Sequence, residues 1–272
     1  MKNPIGIFDS GVGGLTVFHE IKKVLSHKDI VYFGDTARVP YGSKSQSTII
    51  QYSLQNMMFL LEHQIELLVV ACNTSSAFAI DELRKHTDIP IIGVITPGAK
   101  KALSVTRNER IGVIGTEGTI KSGSYEKALK SLDATCTVFS KATPLLVPIV
   151  EANWIEHHVT RDIIQEYMQD LLEKDIDTII MGCTHYPVLK NMIRDVVGST
   201  IVLVDSAESI ALELQKRYSA EPVKKTEADY RFFVSDNPEK FKILGRQILG
   251  EDIMKIQKVS FADAWVIDHS KG

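Results

Sequence analysis

The sequence has little cysteine, and its three cysteines lie far apart at positions 72, 136 and 183. An odd number of widely spaced cysteines does not suit a disulfide-stabilised secreted domain and favours a reducing compartment. The sequence also lacks a Cys-x-x-Cys pair, which argues against a structural zinc site. We therefore predict a cytoplasmic protein without a metal site.

Long apolar runs and an excess of one charge are also missing. No apolar run approaches the roughly 18 residues that a membrane helix needs, and the first residues do not form a signal peptide. The 31 basic and 34 acidic residues give a net charge of −3, so neither a membrane nor a nucleic acid is expected as a partner. With 272 residues, 44% of them hydrophobic, the chain can form one large domain or two of ordinary size.

Two stretches, residues 66–76 (ELLVVACNTSS) and 177–187 (DTIIMGCTHYP), follow the same pattern. In each, an apolar run that is typical of a buried strand leads through one small residue to a cysteine. Ser and Thr residues, and Pro187 in the second stretch, then favour the start of a helix. We therefore expect Cys72 and Cys183 at strand ends, where a helix N-terminus favours a thiolate.

Strand and helix patterns alternate along the rest of the chain, and their order in the first half is repeated in the second. We predict helices at 15–25, 46–62, 122–132, 153–174, 207–218 and 238–249, and strands at 4–8, 30–33, 89–95, 110–114, 135–139, 201–204, 230–234 and 255–259, besides the run before each of the two cysteines. This order predicts an α/β fold of two pseudo-symmetric, doubly wound parallel-sheet domains with the active site in the crevice between them. The predicted first domain is 1–95 with 206–272, the second is 96–205, and the tail packs back onto the first without catalytic residues.

Two thiols that face each other across a crevice are compatible with several chemistries. A zinc site would use His185 beside Cys183, but further ligands are missing, and a redox pair normally has close spacing in sequence. A single nucleophile with His185 as its base leaves Cys72 without a role. Inversion of a stereocentre without a cofactor needs a base on one face of a carbon and an acid on the other, and two thiols can supply both.

Four motifs carry a resemblance to a known family, and they occur at Phe8–Gly14 (FDSGVGG), Gly34–Gly42 (GDTARVPYG), Ala71–Ser75 (ACNTS) and Gly182–Pro187 (GCTHYP). In this order they resemble the aspartate/glutamate racemase superfamily and, within it, the glutamate racemases. The resemblance extends from the first strand to the helix after residue 206. It implies a cofactor-independent isomerase that interconverts L- and D-glutamate and supplies D-glutamate for peptidoglycan, and so for cell wall biogenesis and cell shape. It also implies a homodimer.

The same resemblance implies roles for individual residues. Cys72 would act on D-glutamate with Asp9 beside it, and Cys183 would act on L-glutamate with His185 beside it, while Glu151 is implicated from the long connection. The residues implied in substrate contacts are Asp9, Ser10, Tyr41, Gly42, Asn73, Thr74, Thr184 and His185. Alternatives are an aspartate racemase, a hydantoin racemase, or a gyrase-binding protein that keeps the fold.

Simpler roles also exist for residues near these motifs. Asp35 and Arg38 can pair with each other to hold their loop, and Cys136 is predicted as a core residue within a strand. Thr116 and Thr119 are the symmetry counterparts of the Asp9 loop. His185 can be a helix cap, Glu151 can be a surface residue, and the glycines after Asp9 can serve a tight turn that needs glycine backbone angles.

Overall fold

The computed structural model describes residues 3–220 and 228–260. Parts of the predicted tail, at 221–227 and 261–272, therefore lie outside the described residues. The ten strands of the described part are β1 (Ile5–Asp9), β2 (Ile30–Gly34), β3 (Leu67–Val70), β4 (Ile91–Gly93), β5 (Arg110–Gly115), β6 (Thr137–Ala142), β7 (Thr178–Gly182), β8 (Val202–Asp205), β9 (Tyr230–Val234) and β10 (Ile256–Lys258).

Helices alternate with these strands along the described chain. They are α1 (Leu15–Val24), α2 (Gln46–Glu62), α3 (Asn73–Phe78), α4 (Ile80–Leu83), α5 (Ile95–Val105), α6 (Glu117–Lys121), α7 (Ser124–Leu132), α8 (Leu146–Glu151), α9 (His158–Leu172), α10 (Lys190–Val197), α11 (Ser206–Tyr218) and α12 (Pro238–Leu249). Short 3-10 turns lie at Tyr41–Ser43 and Tyr186–Leu189. None of the helices in the described residues has both the length and the apolar character needed to cross a lipid bilayer.

The strands form two separate parallel sheets, with the orders β10-β9-β2-β1-β3-β4 and β6-β5-β7-β8. The order β2-β1-β3-β4 in the first sheet is repeated by β6-β5-β7-β8 in the second, so the two halves share one topology. The predicted α/β fold with a repeated parallel sheet is confirmed. Strand β9 pairs with β2, which confirms that the tail packs onto the first half.

Apolar side chains cover both faces of each sheet, and this explains the continuous apolar runs in the sequence. Along β1, Ile5 and Ile7 point into a core formed with α1, α11 and α12. Phe8 points to the opposite face and packs against residues of α2. All five residues of β1 and all five of β7 are buried, so the ends of these strands are held rigidly.

The helix that follows the last strand of each half packs against the other half. Helix α5 follows β4 but packs against α7, and α11 follows β8 but packs against α1. The chain therefore crosses between the halves near Ile95 and Ser206. The proposed domain boundaries at 95/96 and 205/206 stay a prediction.

Several predicted boundaries were wrong. The helix expected at 122–132 begins at Ser124 as α7, because Gly123, with a left-handed φ of +64°, separates it from α6. The strand expected at 135–139 lies instead at Thr137–Ala142, because it pairs along the whole of β5. Cys136 therefore precedes the strand, although its prediction as a core residue is confirmed by its burial among apolar side chains. The helix expected from residue 153 begins only at His158, and the connection before it contains α8.

Candidate active site

A small cavity lies between the two halves, at the carboxyl ends of their strands. Its volume is about 20 Å³, which is room for about one water molecule. Cys72 and Cys183 both line it, although each is about 95% buried. The other lining residues are Ser10, Val39, Pro40, Tyr41, Gly42, Asn73, Thr74, Thr116, Val147, Gly182, Thr184 and His185. The structure therefore brings the two cysteines of the repeated motifs together at one site.

Cys72 lies between β3 and α3, as predicted, but its surroundings do not favour a thiolate. Burial and the nearby charge of Asp9 raise the pKa of the Cys72 thiol to about 11, and the hydrogen bond from the Ser75 backbone lowers it less. The start of the helix thus lowers this pKa as expected, through the Ser75 N–H, but burial and Asp9 outweigh it. Helix α3 has only six residues, and its dipole is too weak to offset burial beside a carboxylate.

Asp9 ends β1 and is completely buried. Its carboxylate accepts hydrogen bonds from the Gly11 backbone N–H at 2.9 Å and from Thr184 Oγ1 at 3.2 Å. Burial raises the pKa of Asp9, against the opposing effects of the positive charge of His185 and of these hydrogen bonds. Because Thr184 belongs to the second half and lines the cavity, Asp9 joins the two halves from behind this residue, although Asp9 is not among the lining residues.

The glycines after Asp9 are needed for space rather than for unusual backbone angles. A Cβ atom at Gly13 would lie 2.5 Å from both His185 Nδ1 and Thr184 Oγ1, and one at Gly14 would lie 2.4 Å from Asp9 Cβ. Neither glycine has a positive φ. The interpretation of this turn as one that requires glycine backbone angles is therefore wrong. Gly13 instead allows the two halves to approach closely, and Gly14 leaves room for the Asp9 side chain.

Cys183 has a different environment from Cys72. It follows β7 and precedes a 3-10 turn, and the α-helix begins only at Lys190. The helix start expected near Pro187 is a 3-10 turn with Pro187 in its first positions, rather than the start of an α-helix. His185 Nδ1 lies 3.9 Å from Cys183 Sγ, so an imidazole, rather than a helix N-terminus, is the group that can stabilise a thiolate at this position.

His185 is the centre of a chain of charged groups. Its Nε2 lies 3.5 Å from Glu151 Oε1, and Glu151 Oε2 accepts a hydrogen bond from Lys240 Nζ at 2.9 Å. Burial alone would lower the pKa of His185, but Cys183, Glu151 and Asp9 together raise it. Burial would raise the pKa of Glu151, yet its contacts with His185 and Lys240 lower it to about 2. At neutral pH the arrangement favours an imidazolium beside Cys183.

Two of the simpler roles are excluded by these contacts. The His185 side chain makes no hydrogen bond that caps the following turn, so its interpretation as a helix cap is wrong. The Glu151 side chain is only 18% exposed and contacts His185, so its interpretation as a surface residue is also wrong.

The loop before α2 is held by a polar cluster that includes Tyr41. Arg38 Nε donates to Asp35 Oδ2 at 2.6 Å, which confirms the predicted pairing. The Tyr41 hydroxyl donates to Asp35 and accepts from Asn56 Nδ2 at 3.0 Å. Tyr41 therefore lines the cavity while its hydroxyl is engaged elsewhere. Beside it, a Cβ atom at Gly42 would lie 2.4 Å from Thr116 Cβ, so this loop contacts the second half directly.

Three threonine hydroxyls also join the halves beside the cavity. Thr74 Oγ1 lies 2.9 Å from Thr116 Oγ1 and 3.1 Å from Thr119 Oγ1. Thr116 lines the cavity and Thr119 is buried next to it. Thr116 and Thr119, predicted as symmetry counterparts of the Asp9 loop, thus lie beside the site, although neither belongs to the four motifs.

The sequence did not indicate several residues that build the site. Val147 in α8 lines the cavity, Lys240 contacts Glu151, and the Tyr125 hydroxyl donates to Asn73 Oδ1 at 2.6 Å. Each lies in a helix without a recognisable motif, so no local signal could have identified it. Among the described residues, no group of three or more His, Cys, Asp or Glu side chains is arranged to hold a metal ion.

Comparison with known proteins agrees with this geometry. The family model described as Asp/Glu/Hydantoin racemase matches residues 5–214. The chain belongs to this racemase family. A glutamate racemase from Geobacter metallireducens is 47% identical over 94% of this chain and 96% of its own length. The resemblance inferred from the four motifs is therefore confirmed.

Solved structures of glutamate racemases have the same fold over nearly the whole chain. An isoform from Bacillus anthracis is 38% identical with a TM-score of 0.91, covering 95% of this chain and 97% of that one. The enzyme from Francisella tularensis in complex with D-glutamate is 34% identical with a TM-score of 0.88, covering 95% and 98%. Within the racemase family the chain is thus an amino-acid racemase of the glutamate type.

Proposed function

We propose that the chain interconverts L- and D-glutamate without a cofactor, by proton transfer between the substrate Cα and the thiols of Cys72 and Cys183. The observation that carries this proposal is that both thiols line one small cavity between two halves of the same topology. A single base that returned the proton to the same face would exchange hydrogen without inversion. Two acid/base groups from opposite halves can act on opposite faces of one carbon.

In the proposed reaction of L-glutamate, the Cys183 thiolate takes the α-proton and the electron pair of the C–H bond remains on the carbon. The Cys72 thiol then donates its proton to the opposite face, which gives D-glutamate. The reaction of D-glutamate uses the same groups in reversed roles. The reaction neither oxidises nor reduces the substrate, and one proton is taken up as one is delivered.

The different surroundings of the thiols support this assignment. The imidazolium of His185 lies beside Cys183, with 3.9 Å between Nδ1 and Sγ, whereas burial and Asp9 favour a neutral thiol at Cys72. A cation beside Cys183 suits this residue to take the proton of L-glutamate. Asp9 and His185 act beside the thiols, and Glu151 keeps the imidazole protonated.

Polar groups around the cavity suit an amino acid with two carboxylates. Asn73 Nδ2 is a buried donor without a hydrogen-bond partner in the described part of the chain, and the hydroxyls of Ser10, Thr74 and Thr184 lie at the same cavity. We assign substrate contacts to these groups, to His185 and Asp9, and to Tyr41 and Gly42. For Tyr41 the contact is made by atoms other than its engaged hydroxyl. The complex of a relative with D-glutamate supports glutamate as the ligand.

Glutamate is much larger than one water molecule, so its entry requires the two halves to separate. Separation breaks the hydrogen bonds between Thr74 and Thr116 and between Thr184 and Asp9. The polar groups set free in this way become available to the substrate. We further propose that the enzyme acts in the cytoplasm, as a homodimer, and supplies D-glutamate for peptidoglycan.

Circular dichroism tests the proposed reaction most directly. Each enantiomer of glutamate and of aspartate is incubated with the enzyme in buffer without pyridoxal phosphate, and the ellipticity is followed. Both glutamate solutions should lose all ellipticity, because enantiomers have equal free energies and the equilibrium mixture is racemic. Loss with aspartate alone would replace the proposal by an aspartate racemase, and no loss with any of the four would refute racemisation.

A further inference from the structure

The residue that follows each thiol is held by the opposite half of the molecule. The backbone oxygen of Thr184, after Cys183, accepts a hydrogen bond from Thr16 Oγ1 of α1 at 3.0 Å. The side-chain oxygen of Asn73, after Cys72, accepts one from the Tyr125 hydroxyl of α7 at 2.6 Å. Helices α1 and α7 follow equivalent strands, so the two contacts are related by the repeat. Of these two helix contacts, the one on the Cys183 side is made to a backbone oxygen and the one on the Cys72 side to a side chain.

Tyr125 is held rigidly behind this contact. Its side chain is 2% exposed and packs in an apolar core. Glycines flank its ring, and a Cβ atom would lie 3.0 Å from Tyr125 Cε2 at Gly182 and 3.4 Å from Cε1 at Gly98. Larger residues at these positions would press on the ring. Burial also keeps the pKa of Tyr125 well above its ordinary value, so the hydroxyl remains a donor at any physiological pH.

The contact determines which atom of the Asn73 amide is available to a ligand. A primary amide has one acceptor oxygen and one donor nitrogen. The oxygen is engaged by Tyr125, while Nδ2 is buried and has no hydrogen-bond partner among the described residues. Asn73 lines the cavity together with Cys72. A rotated amide would instead present an oxygen to the cavity, which would repel a carboxylate.

We propose that Tyr125 is a positioning residue that fixes the Asn73 amide, so that Nδ2 donates to a carboxylate of the substrate. This inference rests on the proposed racemisation of glutamate, because it assigns the partner of that donor. Tyr125 is not among the residues that line the cavity, so its effect on the substrate is exerted through Asn73. It thereby links α7 of the second half to substrate binding beside the thiol of the first half.

Tyr125→Phe tests the proposal, since it removes the hydroxyl and keeps the ring. We expect KM to rise about tenfold for both enantiomers, the effect of losing one well-oriented hydrogen bond, with kcat changed less than about twofold. The ratio kcat/KM must fall equally in both directions because the equilibrium constant is one. The matched control is Tyr186→Phe, which removes a buried hydroxyl bonded to Thr143, away from the cavity lining. It should leave KM unchanged.

A double-mutant cycle separates positioning from a general loss of structure. In an Asn73→Ala background, Tyr125→Phe should change KM less than about twofold, because the group it positions is gone. The inference would be overturned if Tyr125→Phe raised KM tenfold in both the wild-type and the Asn73→Ala background. It would also be overturned if Tyr125→Phe alone left KM unchanged. Glutamate racemisation by the wild type would still support the proposed function in either case, whereas its absence would refute that function and this inference with it.

A second variant keeps the test decisive if Tyr125→Phe folds poorly. Asn73→Asp retains an oxygen acceptor for Tyr125 but replaces the Nδ2 donor by a carboxylate oxygen. Its KM should rise at least about tenfold, with a melting temperature close to that of the wild type. An unchanged KM would show that no carboxylate is bound through Nδ2 and would overturn the inference.

Discussion

His185 Nε2 lies 3.5 Å from Glu151 Oε1, and this contact joins the imidazole beside Cys183 to a carboxylate at the end of α8. The pKa of Glu151 is lowered to about 2, so Glu151 carries a negative charge at every pH of practical interest. That charge is one of the reasons why the pKa of His185 is raised. Its removal should therefore be visible in the pH dependence of the reaction.

Glu151→Gln should move the alkaline limb of kcat/KM to lower pH by about one unit, because an imidazole without its anionic partner loses its proton more easily. The same variant should reduce kcat/KM at its pH optimum about tenfold. The measurement is a pH profile of racemisation between pH 6 and 10, followed by circular dichroism. Glu156→Gln, at an exposed glutamate of the same connection, is the control. An unmoved alkaline limb in Glu151→Gln would contradict a role for this contact in holding the imidazolium.

Replacement of either thiol should abolish racemisation but preserve proton abstraction from one of the two enantiomers. Cys72→Ser leaves Cys183 able to take a proton from the L-enantiomer, so elimination of chloride from L-β-chloroglutamate should continue. Cys183→Ser should show the reverse preference for the D-enantiomer. Chloride release from both enantiomers is measured for each variant, with Cys136→Ala as the control, because Cys136 lies in the core away from the cavity. Equal loss with both enantiomers in one variant would exclude the two-base assignment.

Lys240→Met should lower kcat/KM two- to fivefold at low ionic strength, because the half-exposed ion pair with Glu151 contributes about 0–1 kcal/mol. Added salt should reduce the wild-type rate towards that of the variant, since salt screens exposed pairs. The rates are compared over a range of NaCl concentrations. Lys258→Met, which removes a similarly exposed pair with Asp236, should behave like the wild type. A salt response that is the same in Lys240→Met and the wild type would count against this contribution.

Asp205 should make the fold less stable as the pH rises. Burial raises the pKa of Asp205 from 3.8 to about 6, and Lys190 offsets this only in part. Between these values the folded protein binds more protons than the unfolded chain, so the free energy of unfolding falls as pH increases. Asp205→Asn keeps an acceptor for the Ala207 N–H that Asp205 caps and cannot ionise. Its stability relative to the wild type should rise by about 2 kcal/mol between pH 4 and 6.

Urea denaturation at a series of pH values measures this difference. Asp195→Asn is the control, because the Asp195 carboxylate is 60% exposed on the neighbouring helix α10. Its stability relative to the wild type should change little over the same interval. If the difference in free energy of unfolding between Asp205→Asn and the wild type also stayed constant with pH, burial would not raise the pKa of this carboxyl.

The sequence was most informative where local pattern and tertiary environment agree. The apolar runs before Cys72 and Cys183 form fully buried strands, because helices cover both faces of each sheet. The repeated order of elements correctly predicted two sheets of the same topology. Helix α12 was predicted at its observed bounds, since Pro238 can begin a helix and Gly250, with a φ of +71°, can end it.

The properties that the sequence did not predict arise from contacts between distant segments. The pKa of Cys72 is set by burial and Asp9, which outweigh the local helix. Tyr125 and Lys240 reach the site only because α7 and α12 pack where they do. The start of α9 was misplaced because α8 and a turn occupy the connection before it. Such contacts depend on how the two halves assemble, which no short motif encodes.

Each turnover of the proposed reaction exchanges the protonation states of the two thiols. After L-glutamate has become D-glutamate, Cys183 carries the proton and Cys72 carries the negative charge. Burial and Asp9 disfavour that charge at Cys72, and the cation of His185 lies beside Cys183, so we expect the free enzyme to relax by returning a proton from Cys183 to Cys72. Until that proton has moved, the empty enzyme exists in a protonation state that depends on which enantiomer it last released.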